Sequence, residues 1–183
     1  LRGIRKGCHD CAEPTYDHPQ LLQELPFTLR EADWEVTVIL LRGKRAEEPD
    51  RIIAVEAGDT TDRLYGLALD IGTTTVCGLL IDLNSGEVLA EASSYNDQIK
   101  FGEDVISRII YSQRGDGLAE LQRAVVRTIN NVIDSVCKKV IISPSDISYI
   151  MTAGNTVMSH LLLAINPKYI REAPTSRPAA NSP

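Results

Sequence analysis

The chain has 183 residues, 43% hydrophobic and 24% charged, with a formal net charge of −6 at pH 7, enough for one good core or two small ones. Acids and bases are mixed along the length, and the one basic cluster (Arg2, Arg5, Lys6) is too short for a nucleic-acid footprint. No apolar run approaches the roughly 18 residues of a membrane span and no signal-peptide pattern opens the chain, so neither nucleic acid nor a membrane is expected as a partner. Four cysteines (Cys8, Cys11, Cys77, Cys137) are too few for a secreted disulfide scaffold, and a reducing cytoplasm fits best. The first residue is Leu1 rather than methionine, and the chain is expected to be an internal piece of something longer.

Residues 1–23 are mixed and linker-like, with prolines at 14 and 19, Pro26 close behind and a short helix expected from Pro19 to Leu25. Residues 34–41 are β-prone and end at Arg42-Gly43, and residues 51–55 form a second short strand. The texture changes at Leu64. Gly66–Asp70 reads as a strand, Gly72–Thr75 as a turn, Val76–Asp82 as a strand, Asn84-Ser85-Gly86 as a hairpin turn and Glu87–Ser93 as a third strand. After Gly102-Glu103-Asp104 a helix is expected with Val105, Ile106, Ile109 and Ile110 on one face and Arg108 directed elsewhere. Gly115-Asp116-Gly117 breaks it. A longer helix from Leu118 has apolar residues at 118, 121, 125, 129, 132, 133 and 136, a period near 3.6. Ile147–Thr152 is a strand, and Ala153–Thr156 turns into a helix from Val157 to Ala164 that Asn166-Pro167 stops. The order β-β-β-α-α-β-α is α/β, without a Gly-x-Gly-x-x-Gly fingerprint or a P-loop lysine motif.

Two segments carry candidate chemistry. Asp70 sits at the carboxyl end of its strand, where open α/β sheets bind ligands, and a carboxylate there suits Mg²⁺ directly or through water. Gly72 permits a tight turn whose amides can face phosphate, and Thr73, Thr74 and Thr75 add hydroxyl donors. The competing reading is a plain hairpin whose threonines serve β propensity and turn backbone. The second segment, Thr152-Ala153-Gly154-Asn155-Thr156, lies between strand and helix, where a helix N-terminus can receive an anion. Asn155 or Thr156 equally serves as an N-cap, and the two roles are compatible. Cys8 and Cys11, with His9 and His18 nearby, could ligate a metal or cycle as a dithiol; without a second pair, incidental cysteines in a linker are favoured. Glu103 and Asp104 read as first-turn charges, with a place for Asp104 near a metal as the alternative.

Tyr65–Thr75 resembles the first phosphate loop of the acetate/sugar kinase, heat-shock chaperone and actin (ASKHA) superfamily. Together with Val36–Leu41, Gly58–Gly66, Gly102–Ile109 and Gly154–Leu162 it resembles, from Pro14 to Pro167, the reductive activators of corrinoid proteins. The resemblance implies an actin-like (ribonuclease H-like) half-domain with a mixed sheet over 64–170, a small β-rich middle domain over 24–61, a linker over 1–23 and a ragged end or loop over 171–183. It further implies an ATP-dependent return of Co(II) corrinoid to Co(I), with a corrinoid iron–sulfur protein or corrinoid methyltransferase as partner and a homodimer as an allowed assembly. Asp70 would be the catalytic, Mg²⁺-holding carboxylate. Gly72, Thr73, Thr74 and Thr75 would face ATP, with Gly154, Asn155 and Thr156 across the cleft. A [2Fe–2S] cluster is implied only in a ferredoxin domain that this sequence lacks, as it lacks the second phosphate loop, so the piece alone is expected to be inactive. A small-molecule kinase of the same superfamily and a nucleotide-binding interaction module without catalysis remain the alternatives.

Overall fold

A computed structural model describes residues 14–16, 19–43, 45 and 48–172, and the chain separates into two units. The first takes the N-terminal residues to Tyr65 with 82–86 and 145–148; the second takes 66–81, 87–144 and the residues from Tyr149 onward. Cys8, Cys11, His9 and His18 lie outside the described residues.

The first unit is built on a three-stranded sheet of β1 (Thr15–Tyr16), β2 (Val36–Leu41) and β3 (Arg51–Ala57) in the order β1-β3-β2. β1 lies parallel and β2 antiparallel to β3, with a register shift between Ile39 and Leu40. Ile39 and Ile52 are its buried apolar residues. Helix α1 spans Pro19–Glu31 and contains Pro26, whereas a helix from Pro19 to Leu25 was expected. A proline removes one i→i−4 bond and kinks a helix without always stopping it. Here Leu22, which would have supplied the acceptor, is exposed, so water can reach the orphaned carbonyl. The next strand starts at Val36 rather than residue 34, because Asp33 and Trp34 take positive φ and the Trp34 amide closes onto Leu29 O.

The second unit centres on a four-stranded sheet of β4 (Tyr65–Ile71), β5 (Thr75–Asp82), β6 (Val88–Tyr95) and β7 (Ile147–Gly154), ordered β6-β5-β4-β7. Three helices follow the expected order: α2 (Val105–Tyr111), α3 (Gly117–Val140) and α4 (Thr156–Leu162). In β4, Leu67, Leu69 and Ile71 are buried while Asp70 is exposed, the alternation of a strand covered on one face. α3 buries Leu121, Ala124, Val125, Thr128, Val132, Val136 and Cys137, a stripe rotated slightly from the expected one toward small residues. Each fully buried Val or Leu contributes about 1.5–3 kcal/mol. The close approach of α3 depends on Gly78, where a Cβ would lie 2.6 Å from Val132 Cγ1.

The expected face of α2 is corrected. Arg108 is fully buried and Ile109 is 1% exposed, while Ile106 and Ile110 are 51% and 39% exposed. Apolar periodicity placed Ile109 inward correctly but missed Arg108 and misplaced Ile106 and Ile110, because this seven-residue helix is oriented by polar acceptors that lie in other segments of the unit.

Candidate functional site

The loop between β4 and β5 is Gly72-Thr73-Thr74. The Gly72 amide donates to Thr75 O at 3.0 Å, which closes the turn. A Cβ at Gly72 would stand 2.5 Å from that same carbonyl oxygen, so only glycine fits. Thr75 is already the first residue of β5, paired with Tyr95, and belongs to the strand rather than to the expected turn.

The loop carbonyls are all engaged. Asn96 Nδ2 donates to Gly72 O at 2.9 Å, Arg108 Nη2 to Thr73 O at 2.7 Å and the Asn96 amide to Thr74 O at 2.8 Å. Asn96 and Arg108 are both fully buried, so these carbonyls point into the protein. In a planar trans peptide the C=O and N–H are opposed, and no peptide bond here is cis. The amides of Thr73 and Thr74 are therefore directed away from the buried donors. A run of outward amides is the arrangement that receives an anion.

The second candidate segment meets the first. Asn155 caps α4, its Oδ1 accepting from the Met158 amide at 3.0 Å, and its Nδ2 donates to Thr73 Oγ1 at 3.3 Å. A Cβ at Gly154 would lie 3.0 Å from Ile71 O, so the backbone of β7 runs close beside the end of β4. Thr156 is the exposed first residue of α4. Asp70 is exposed at the end of β4, and its carboxylate makes no hydrogen bond among the described residues. Among the described residues it forms no hydrogen bond to Asn155 or Thr156, and Asn155 is joined to Thr73 and Met158 instead. Among the described residues no cluster of three or more His, Cys, Asp or Glu is arranged to hold a metal ion.

Sequence reasoning missed the support beneath the loop. Asn96, Gln98 and Arg108 form a buried polar network: Asn96 Oδ1 accepts from the Gln98 amide, Gln98 Nε2 donates to Leu121 O at 2.9 Å and Arg108 Nη1 donates to Gln98 Oε1 at 3.1 Å. Burial pushes the Arg108 guanidinium below its ordinary pKa, opposed by the charge of Asp104; arginine nonetheless stays charged in proteins. Asp104 itself is the N-cap of α2, and its carboxyl is held below the usual range by the Ser107 amide and hydroxyl. Asp104 thus stands at the N-cap rather than within the first turn, where it was expected.

A family model described as the RACo middle region matches residues 65–183, and one described as the RACo linker region matches residues 9–62. The chain belongs to the RACo family. The RACo description applies the word middle to 65–183, where the sequence reading applies it to 24–61. The corrinoid activation enzyme RamQ of Eubacterium limosum is 38% identical over 171 residues, covering 87% of this chain and 29% of that protein. A solved structure titled reductive activator for corrinoid, iron–sulfur protein is 39% identical with a TM-score of 0.76, and the match covers 97% of this chain and 27% of the other. This RACo chain thus spans less than a third of the length of these two relatives. No helix among its described residues is long and apolar enough to cross a membrane.

Proposed function

We propose that this chain carries one side of an ATP site in a protein that returns Co(II) corrinoid to Co(I), a one-electron reduction, on a corrinoid iron–sulfur protein or corrinoid methyltransferase. The observation that carries the reading is the loop itself: three inward carbonyls, two outward amides and a hydrogen bond from Asn155 that joins the two candidate segments. Family membership supports the corrinoid side of the proposal. The loop, with the actin-like resemblance, supports the nucleotide side.

The residues fit Mg·ATP. An exposed carboxylate with no hydrogen-bond partner among the described residues suits a cation that keeps several waters and takes one or two carboxylates together with phosphate oxygens. Asp70 would hold Mg²⁺ or its water, the Thr73 and Thr74 amides and hydroxyls would face phosphate, and Asn155 would fix the position of Thr73. ATP when bound supplies the free energy that couples to electron delivery. The electron would come from the iron–sulfur ferredoxin domain that the resemblance implies in the full-length protein.

The test is reduction of a Co(II) corrinoid protein by the full-length protein, followed spectroscopically with and without ATP. An ATP-dependent rise in the Co(I) signal is expected, and Asp70→Asn should lower Mg·ATP affinity or turnover by about tenfold or more, equivalent to 1.4 kcal/mol. Reduction indifferent to ATP would remove the nucleotide from the function. Unchanged titrations with Asp70→Asn would remove Asp70 from the site.

A further inference from the structure

We infer that Arg108 is the positioning residue that makes the Gly72–Thr74 loop a receptor for a polyphosphate anion; the inference rests on the phosphate-loop reading of that site. Its guanidinium is fully buried. Nε donates to Gly102 O at 2.9 Å, Nη1 to Gln98 Oε1 at 3.1 Å and Met158 Sδ at 3.4 Å, and Nη2 to Thr73 O at 2.7 Å. Every one of these acceptors is neutral. Among the described residues no carboxylate forms an ion pair with it, and the Asp104 carboxylate is engaged by Ser107.

A buried cation among neutral dipoles is costly unless some other charge answers it. The short bond to Thr73 O places that charge directly behind the loop. The same bond fixes the peptide plane that turns the Thr74 amide outward. Arg108 therefore does two things at one point: it orients a donor toward the ligand and leaves a positive potential there that water screens poorly. Its contact with Met158, in the first turn of the helix that Asn155 caps, ties the same guanidinium to the second segment of the site. A purely structural arginine would gain more from a carboxylate in direct contact; the Asp104 charge acts on this one without an ion pair.

The test compares wild type, Arg108→Met and Arg108→Lys in the full-length protein, titrated separately with Mg·ATP and with adenosine. Arg108→Met should lose at least about tenfold in ATP affinity with adenosine affinity unchanged. Arg108→Lys should recover part of the loss, since it restores charge without the planar fork. No loss, or equal losses for ATP and adenosine, would overturn the positioning role while leaving the phosphate-loop reading intact. Failure of the wild type to bind Mg·ATP would instead overturn that reading and this inference with it. If circular dichroism shows that Arg108→Met does not fold, the Arg108 Nε–H NMR signal of the wild type decides. It should shift with inorganic pyrophosphate and not with adenosine, and an unmoved signal sinks the inference.

Discussion

Gly72 and Asn155 are the residues at which the site geometry is most tightly constrained. The Thr75 carbonyl oxygen that a Gly72 side chain would strike at 2.5 Å is also the acceptor that closes the turn, so it cannot move without opening the loop. Gly72→Ala should destabilise the protein by about 1–3 kcal/mol and weaken Mg·ATP binding, checked by urea unfolding and by titration. Asn155 offers a cleaner separation of roles. Asn155→Ala removes an N-cap and should cost about 1 kcal/mol. Asn155→Asp keeps the acceptor for the Met158 amide and should hold stability, yet place a negative charge beside Thr73 and so weaken ATP binding. Equal ATP affinity in Asn155→Asp and wild type would separate Asn155 from the phosphate side. Asp70, Gly72 and Asn155 were legible in the sequence because each is read from local chemistry: a strand end, a turn, a cap. Arg108, Asn96 and Gln98 were not. The partners of Arg108 lie between 6 and 50 positions away, and a periodicity count treats an arginine as a solvent-facing residue. The one signal on offer was the presence of Gly102–Ile109 among the segments that carried the family resemblance.

At the scale of elements, hydrophobic patterning located every strand and α-helix of the second unit within a few residues, because α3 and the β5–β6 hairpin are long and strongly patterned. It did not locate the 3-10 helices Asp97–Phe101 and Lys168–Ile170. It failed where an element is short or where a proline offers two outcomes, as in α2 and α1. It also said nothing of how closely layers approach. Gly78 sets that distance: besides Val132, its missing Cβ would meet Leu69 Cδ2 at 3.2 Å. Gly78→Val should drive α3 from the sheet at a cost of about 1–3 kcal/mol or more, seen as a lowered thermal midpoint. A midpoint equal to wild type would show that the layer can shift without loss. The segment between β6 and α2 is held to α3 differently. Arg127 Nε donates to Asp97 Oδ2 at 2.8 Å, and the Asp97 amide donates to Thr128 Oγ1 at 3.1 Å. Arg127 first, then Lys100, holds the Asp97 carboxyl below its usual pKa against the opposing effect of burial. A depressed carboxylate stabilises the fold above its unfolded pKa near 3.9, and that contribution fades as pH falls through the lower folded value. Asp97→Asn should therefore lose less than about 1 kcal/mol at pH 7 and show a flatter stability profile below about pH 4. The effect should shrink in high salt, and identical acid limbs in mutant and wild type would count against the pair.

For the molecule as a whole, the decisive fact is the share of the RACo relatives it represents: 29% of one and 27% of the other. Nucleotide enzymes stabilise developing charge from opposed sides of the bound phosphates, and positioning by one side alone forfeits most of the effect. The described residues supply one free strand-end carboxylate, one amide loop and one buried cation behind it, all on the same sheet-and-helix unit. Tight binding should thus require the longer polypeptide. A thermal shift measures this directly, because a ligand that binds only the folded state stabilises it by RT ln(1 + [L]/Kd). With 1 mM Mg·ATP, a millimolar site yields about 0.4 kcal/mol and a micromolar site about 4 kcal/mol. The 183-residue chain should show the smaller shift and hydrolyse ATP at background rate, and the full-length protein, assayed beside it, the larger shift. Turnover by the 183-residue chain comparable to an intact ATPase would mean that these residues already hold both sides of the site.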